Sequence, residues 1–336
     1  MTISSPIAKI KKTVFKVVSL VSVSALLAGP VFADYPQRPI SLIIPFGTGG
    51  PTDISARALA RSLTDEVAKP IVIVNQTGGG GAVGSATVAN TRGDGYKMLA
   101  ARTGSQSVSL AMKSNMPYSL ADFKFVGIYE LNPIVCVTRS ESGIESMSQL
   151  IDLVKSKPKT VTYSSSGVGA LQHLAGVMVL NAFGVENPLE EAIHLPMNGG
   201  GGAATAVLNG TATFVCANSS SVAGFINNGQ MKPLMVATKD RVEGIDAPTA
   251  AELGHPELEK LVGWTGIAGP KSLKNESVEA WTQWLKTTTS EPGFVDTMTR
   301  LGSQVVYMGP ADAEEFIHAQ YTAFRGIVEK LGMQIN

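Results

Sequence analysis

The stretch "FGTGGPTD" (Phe46 to Asp53) stands between the apolar run "ISLIIP" (40–45) and a helix-like pattern. Three glycines and a proline fall where a buried strand should hand over to a helix. Such a turn can be a phosphate loop, a carboxylate cradle or a plain tight turn. The flanks decide the fold. "ISLIIPF" (40–46) reads as a strand, and residues 53–68 place Ala56, Leu59, Ala60, Leu63 and Val67 on one helical face. "PIVIVN" (70–75) is a second strand, "AVGSATVAN" (82–90) a helix and "KMLAAR" (97–102) a third strand. Continuous β-branched runs alternating with helices predict a parallel sheet buried on both faces.

The pattern restarts further on. "TVTYSSS" (160–166), "EAIHLP" (191–196), "TATFVCAN" (211–218) and "KPLMVAT" (232–238) read as strands, with helices after the first two. The last quarter reads as helical. The repeated βαβα order predicts two α/β lobes joined at "PIVCVT" (133–138) and near "LVGWTGIAGP" (261–270), the chain returning to the first lobe at its end.

The glycine turn also recurs. "VNQTGGGGAVG" carries Gly78 to Gly81 at a helix mouth, "YSSSGVGA" (163–170) adds serine hydroxyls, and "LPMNGGGGAA" (195–204) is a fourth example. In parallel α/β sheets these turns gather at the carboxyl edge of the strands, where ligands bind. Glycine lets backbone approach a ligand, and a helix N-terminus presents unpaired N–H groups and a positive dipole end. Thr52 or Asp53 can cap the first helix, with Pro51 fixing its entry. Four such turns point to an anion held between two lobes.

Other readings lose on residues. Gly79-x-Gly81-x-x-Gly84 matches the dinucleotide fingerprint, but the next strand ends in Arg102 and Thr103 where an acid should meet the ribose. No Gly-Lys pair completes a P-loop, and no nucleophile elbow or zinc-protease motif occurs. No cofactor or metal is expected. Ser166 and His173, seven residues apart, leave a secreted hydrolase as a minor alternative. Cys136 and Cys216 lie in apolar runs and read as free buried cysteines, since nothing local brings their strands together.

Residues 1–33 read as a cleaved secretory signal: Lys9, Lys11, Lys12 and Lys16, then an apolar run too short to span a bilayer comfortably, then "VFA". The full chain has 27 basic and 27 acidic residues; without those four lysines the balance is 23 to 27, a net of −4. That disfavours nucleic acid as a partner. About 300 remaining residues suit two domains, and nothing in the sequence calls for more than a monomer.

Taken in order, "YPQRPISLIIPFGTGGPTDISARALA", "VNQTGGGGAVGSATVAN", "DGYKMLAA", "YSSSGVGALQHLAG", "APTAAELG" and "WTGIAGP" resemble the solute-binding proteins of tripartite tricarboxylate transporters, the Bug family. The resemblance covers nearly all of the chain after residue 33. It implies a periplasmic, two-lobe α/β binding protein of type II, the Venus-flytrap kind, each lobe a mostly parallel sheet flanked by helices. Lobe 1 would span 34–135 and 259–336, and lobe 2 would span 136–258. It also implies an organic carboxylate ligand, delivered to a permease of one large and one small membrane subunit. The same fold presenting its ligand to a sensor protein is the alternative.

Carried over by position, the first-lobe grip is Phe46, Thr48, Gly49, Gly50 and Asp53, with Gly79, Gly80, Gly81 and Ala82. Asp53 reads better as a cap than a contact, because its charge would repel the ligand. Arg102, followed by Thr103, can pair a second carboxylate; solvated surface is its plainer reading. In lobe 2, Ser165, Ser166, Gly167 and His173 match the family segment. Met197, with Asn198 and Gly200 after it, stands where the family commonly has tyrosine. Ala217 and Asn218 stand where it often has an acid. These departures lean towards a carboxylate with an apolar or aromatic body.

Overall fold

Residues 35–335 are described by a computed structural model, and their apolar runs pair into one ten-stranded sheet. The expected secretory signal lies outside the described residues. Strands β1 (Ile40–Ile44), β2 (Ile71–Asn75) and β3 (Lys97–Arg102) run parallel with β1 in the middle, linked by helices α1 (Pro51–Ser62) and α2 (Ala82–Ala89). Alternation sets the two faces of β1. Ile40, Leu42 and Ile44 pack with Leu59, Met98 and Trp281 on one side, while Ile43 packs with Leu99 and Trp264 on the other. Each such burial contributes roughly 1.5–3 kcal/mol. The edge strand β2 departs from the expectation of two buried faces. Val72 and Val74 are 46% and 37% exposed, because nothing covers that side of the sheet edge.

The two lobes share strand β4 (Phe123–Arg139), 17 residues long. Its first half pairs antiparallel with β9 (Val262–Pro270) and β10 (Gln304–Met308), and its second half with β7 (Phe214–Asn218) and β8 (Met231–Val236). Pro133, which has no N–H to donate, faces Val262 where β4 changes partners. Beyond β7 lie β5 (Thr162–Ser165) and the edge strand β6 (Ile193–Pro196), parallel to each other. The outer strands of each lobe are thus parallel as expected, while the shared strand β4 and its neighbour β9 run antiparallel to the strands beside them. β10 lies in the quarter that reads as helical; its "QVVYM" is short and only half-buried.

Helices α3 (Met147–Ser156), α4 (Leu171–Ala182), α5 (Gly199–Leu208) and α6 (Ser219–Asn227) flank the second lobe. Helices α7 (Asn275–Thr288), α8 (Pro292–Arg300) and α9 (Pro310–Lys330) close the chain. The end of α9 reaches over: Phe324 and Val328 join Leu150, Leu174 and Phe214 in the second lobe's core.

The cysteines overturn their sequence reading. Cys136 on β4 lies directly opposite Cys216 on β7, with Cα atoms 3.9 Å apart, and the two form a disulfide. Register across 80 residues of chain brings them together, and no local pattern carries that information.

Candidate functional site

The first glycine turn is built by one carboxylate. Gly49 takes φ +77°, a left-handed conformation open to glycine, so that its N–H turns back into the loop. It donates to Asp53 Oδ2 at 2.9 Å; Arg57 Nε donates to the same oxygen at 2.9 Å, and Asn75 Nδ2 to Oδ1 at 2.9 Å. Burial pushes the Asp53 pKa up, but those hydrogen bonds outweigh it and hold the carboxyl below its usual value. The helix cap is Gly50 in extended conformation with Pro51 at the first helical position, not Thr52 or Asp53. Asp53 is 2% exposed. Its carboxylate pins the loop from inside and leaves the amides of Thr52 and Asp53 without an intrahelical acceptor.

The second turn lies beside Phe46. A Cβ on Gly81 would come within 3.1 Å of the Phe46 ring and 2.8 Å of Ser105, so the tip of the ring sits against bare backbone there. The carbonyls of Gly79 and Gly80 accept from Lys113 Nζ (2.8 Å) and Ser109 Oγ (3.2 Å). Lys113 places a cation beside this turn that the sequence did not single out. Ala82 begins α2 immediately after it.

In the second lobe, the turns after β5 and β6 are tied together. Met197 N–H donates to the Ser165 carbonyl at 2.9 Å, and Gly199 N–H to that of Ser166 at 3.3 Å. Gly167 approaches the Met197 carbonyl, and Asn198 is exposed beside it. His173 Nδ1 accepts from Gly169 N–H at 3.2 Å, so the ring props the turn from below. It stacks on His194, with centroids 3.9 Å apart and planes 6° apart. The serine that meets a histidine is Ser165, 2.7 Å from His194 Nε2; Ser166 and His173 do not pair.

Burial, with the neighbouring His194 adding to it, lowers the His173 pKa from 6.5 to about 4. The unfolded chain protonates this ring below 6.5 and the folded protein resists, so stability falls with pH through that window and levels off below about 4. Calorimetry at pH 7, 5.5 and 4.5 should find a shallower acid slope in His173→Gln than in the wild type. Equal slopes would remove His173 as the cause.

Between the lobes lies a cavity of about 260 Å³. Gly49 reaches it from the first glycine turn, Pro51, Ile54 and Ser55 from α1, Gly201 from α5, and Ser220 and Ser221 from α6. Gly200 abuts it, since a Cβ there would meet Ser221 Oγ at 2.6 Å. Met298 and Leu301 form an apolar wall with Ile54. Three helix N-termini, one from the first lobe and two from the second, thus open on the same space. A larger depression of about 550 Å³ around Ser140, Glu145 and Lys232 lies at the far end of β4 from the partner change, away from these turns.

The back of the cavity is a buried polar network. Glu130 accepts from Ser55 Oγ at 2.6 Å and Ser303 Oγ at 2.7 Å. Asn132 Nδ2 donates to Ser303 Oγ at 3.0 Å and Ser220 Oγ at 2.9 Å, while its Oδ1 accepts from Ser219 Oγ at 3.0 Å. Asn218 donates to the Asn132 carbonyl at 3.2 Å, at the partner change of β4 rather than in the cavity.

Arg102 is neither surface nor cavity lining. It is 8% exposed and donates to Thr265 on β9 at 3.3 Å. Burial lowers its pKa, against the opposing pull of Glu130. Thr103 Oγ1 accepts from Trp264 N–H at 2.7 Å, a tie within the sheet. The sequence reading missed Ser55, Glu130, Asn132, Ser220, Ser221 and Ser303. Their signal, two polar residues in "YELN" (129–132) of an otherwise apolar run, is faint.

Among the described residues no group of three His, Cys, Asp or Glu side chains could hold a metal ion, and no helix is long and apolar enough to cross a membrane.

Known proteins share this architecture. The chain is 29% identical to Protein BugT of Bordetella pertussis over 324 residues, covering 95% of this chain and 97% of that one. The solved structure of the periplasmic binding protein BugD superposes with a TM-score of 0.77 at 27% identity, covering 89% of this chain and 99% of BugD. A Rhodopseudomonas palustris protein solved with adipate superposes at 0.78 and 22% identity, covering 89% and 99%, a likeness of fold. Residues 55–333 match the family described as the tripartite tricarboxylate transporter family receptor, TctC. The chain belongs to that family of solute-binding receptors, which are not enzymes.

Proposed function

We propose that the protein captures an organic carboxylate between its lobes in the periplasm and delivers it to the membrane subunits of a tripartite tricarboxylate transporter. The observation that carries the reading is the meeting of turns from both lobes on one cavity. Gly49 and the N-terminus of α1 face Gly201 and the N-terminal serines of α6 across it. Amides and hydroxyls aimed at a partly enclosed space suit a carboxylate, which takes charge-assisted hydrogen bonds from both sides. The TctC family and the adipate found in a protein of the same fold support that ligand class. The disulfide supports an oxidising compartment.

Thr48, Gly49 and Gly50 would form the first-lobe grip, with Gly79 to Gly81 behind Phe46. Ser220 and Ser221 would answer from the second lobe, with the Ser165–Gly167 turn beside them. The lobes would divide at 135/136, within β4, and at 258/259, just before β9. Lobe closure would exclude water and strengthen every polar contact.

A thermal-shift screen tests this. Ligand-stripped protein is heated with aliphatic monocarboxylates and dicarboxylates, citrate, acidic amino acids and aromatic acids. A ligand at 100 times its Kd should stabilise by about 2.7 kcal/mol and move the midpoint by several degrees. A shift confined to one class of carboxylate is expected. No shift from any carboxylate, with a shift from a phosphate or sulfonate, would overturn the assignment.

A further inference from the structure

Glu130 is the ionisable side chain in the wall of the inter-lobe cavity, and among the described residues no lysine, arginine or histidine lines it. This is an odd wall for a receptor of polyanions. We propose that Glu130 determines specificity at the ligand's far end: the receptor takes carboxylates whose other end is a non-anionic hydrogen-bond donor, an amine or a hydroxyl, and rejects dicarboxylates. The inference rests on the carboxylate reading above and deepens it.

The geometry supports each part. Glu130 is 1% exposed and fixed by neighbours. Ser303 Oγ donates to Oε1, with Asn132 Nδ2 3.4 Å away and its protons turned to Ser303 and Ser220, while Ser55 Oγ donates to Oε2. A carboxylate offers about four acceptor directions, so one on Oε2 is left for a ligand N–H or O–H. Ser55 cannot turn to serve a ligand carboxylate, because its single proton goes to Glu130 while it sits 3.0 Å from the Tyr129 hydroxyl. The nearby counter-charge, Arg102, is buried against Thr265 and does not line the cavity. A second ligand carboxylate would therefore meet a fixed negative charge with no cation in reach. An amine or hydroxyl would meet an oriented acceptor. Ile54, Met298 and Leu301 supply an apolar wall for the carbon body between the two ends.

Titration calorimetry on ligand-stripped protein at pH 7 tests this with two matched series. One is hexanoate, 6-hydroxyhexanoate, 6-aminohexanoate and adipate; the other is benzoate, 4-hydroxybenzoate, 4-aminobenzoate and terephthalate. In whichever series binds, a donor-bearing acid should bind at least tenfold tighter than the dicarboxylate. Glu130→Gln should bring that ratio below about threefold. A dicarboxylate binding as tightly as its donor-bearing analogue, or a ratio unchanged in Glu130→Gln, overturns the inference and leaves the carboxylate reading standing. If Glu130→Gln does not fold, the wild-type order decides alone. Failure of both series, together with failure of every carboxylate in the wider screen, falls on the carboxylate reading itself.

Discussion

Replacing both Cys136 and Cys216 with alanine should lower the midpoint of thermal unfolding by about 10 °C. A bridge closing a loop of this length restricts the unfolded chain by about 4.5 kcal/mol in the chain-entropy account, and each kcal/mol is worth about 2–4 °C in a protein of this size. Both sulfurs belong to fully buried residues in the second lobe's core, packed with Ile134, Phe214 and Met235. Reductant should therefore leave the native protein unchanged at room temperature and act only once the lobe opens. Thiol titration in denaturant should find none before reduction and two after. Two free thiols in unreduced, denatured protein would show that the bridge does not form. A midpoint unchanged in the double variant would show that it does not matter.

Asp53→Ala should remove most of the ligand-induced thermal shift and destabilise the protein by about 2–3 kcal/mol. The loss follows from the donors left behind. The Gly49 amide, the Arg57 guanidinium and the Asn75 amide all converge on this buried carboxylate, and the substitution strips all three of their shared acceptor. Without it Gly49 has no reason to hold φ +77°, and the mouth of α1 loses its shape. The pH dependence has a definite sign. Asp53 is held below its ordinary value of 3.8, so its contribution is full above that pH and is lost as pH falls through the folded value. The gap between wild type and variant should stay constant from pH 7 to 4 and narrow below 3.8. A gap that narrows already above pH 5 would assign the effect to another group. Retained binding in Asp53→Ala would show that the first turn holds its form without the carboxylate. This window lies below the one expected for His173, so acid titration can separate the two.

The strands and the glycine turns were legible because both are local. "ISLIIP" is apolar and β-branched over consecutive residues, and "FGTGGPTD" announces a chain reversal with residues that only a special backbone needs. The same holds for "VNQTGGGGAVG", whose four consecutive glycines, Gly78 to Gly81, all take positive φ in the structure. The restart of the βαβα order at residue 160 gave the second lobe. The resemblance to the Bug family, carried by those same motifs, gave the receptor function that the TctC match bears out.

What remained hidden was set by register between distant segments. Cys136 and Cys216 read as two separate buried cysteines until β4 and β7 are laid side by side. Arg102 sits at a strand end, which suggests a ligand contact or solvent. Only the neighbouring β9 shows that its side chain turns inward to Thr265. Glu130 and Asn132 lie in one long strand that belongs to both lobes, and they acquire meaning when Ser55, Ser220 and Ser303 arrive from helices and loops up to 173 residues away. The sequence by itself determined the elements and the glycine turns at the helix mouths, because hydrophobic period and glycine placement act over a few residues. The tertiary structure decided the disulfide, the inward turn of Arg102 and the acid in the cavity's wall, because hydrogen-bond register and burial couple residues that the chain keeps far apart.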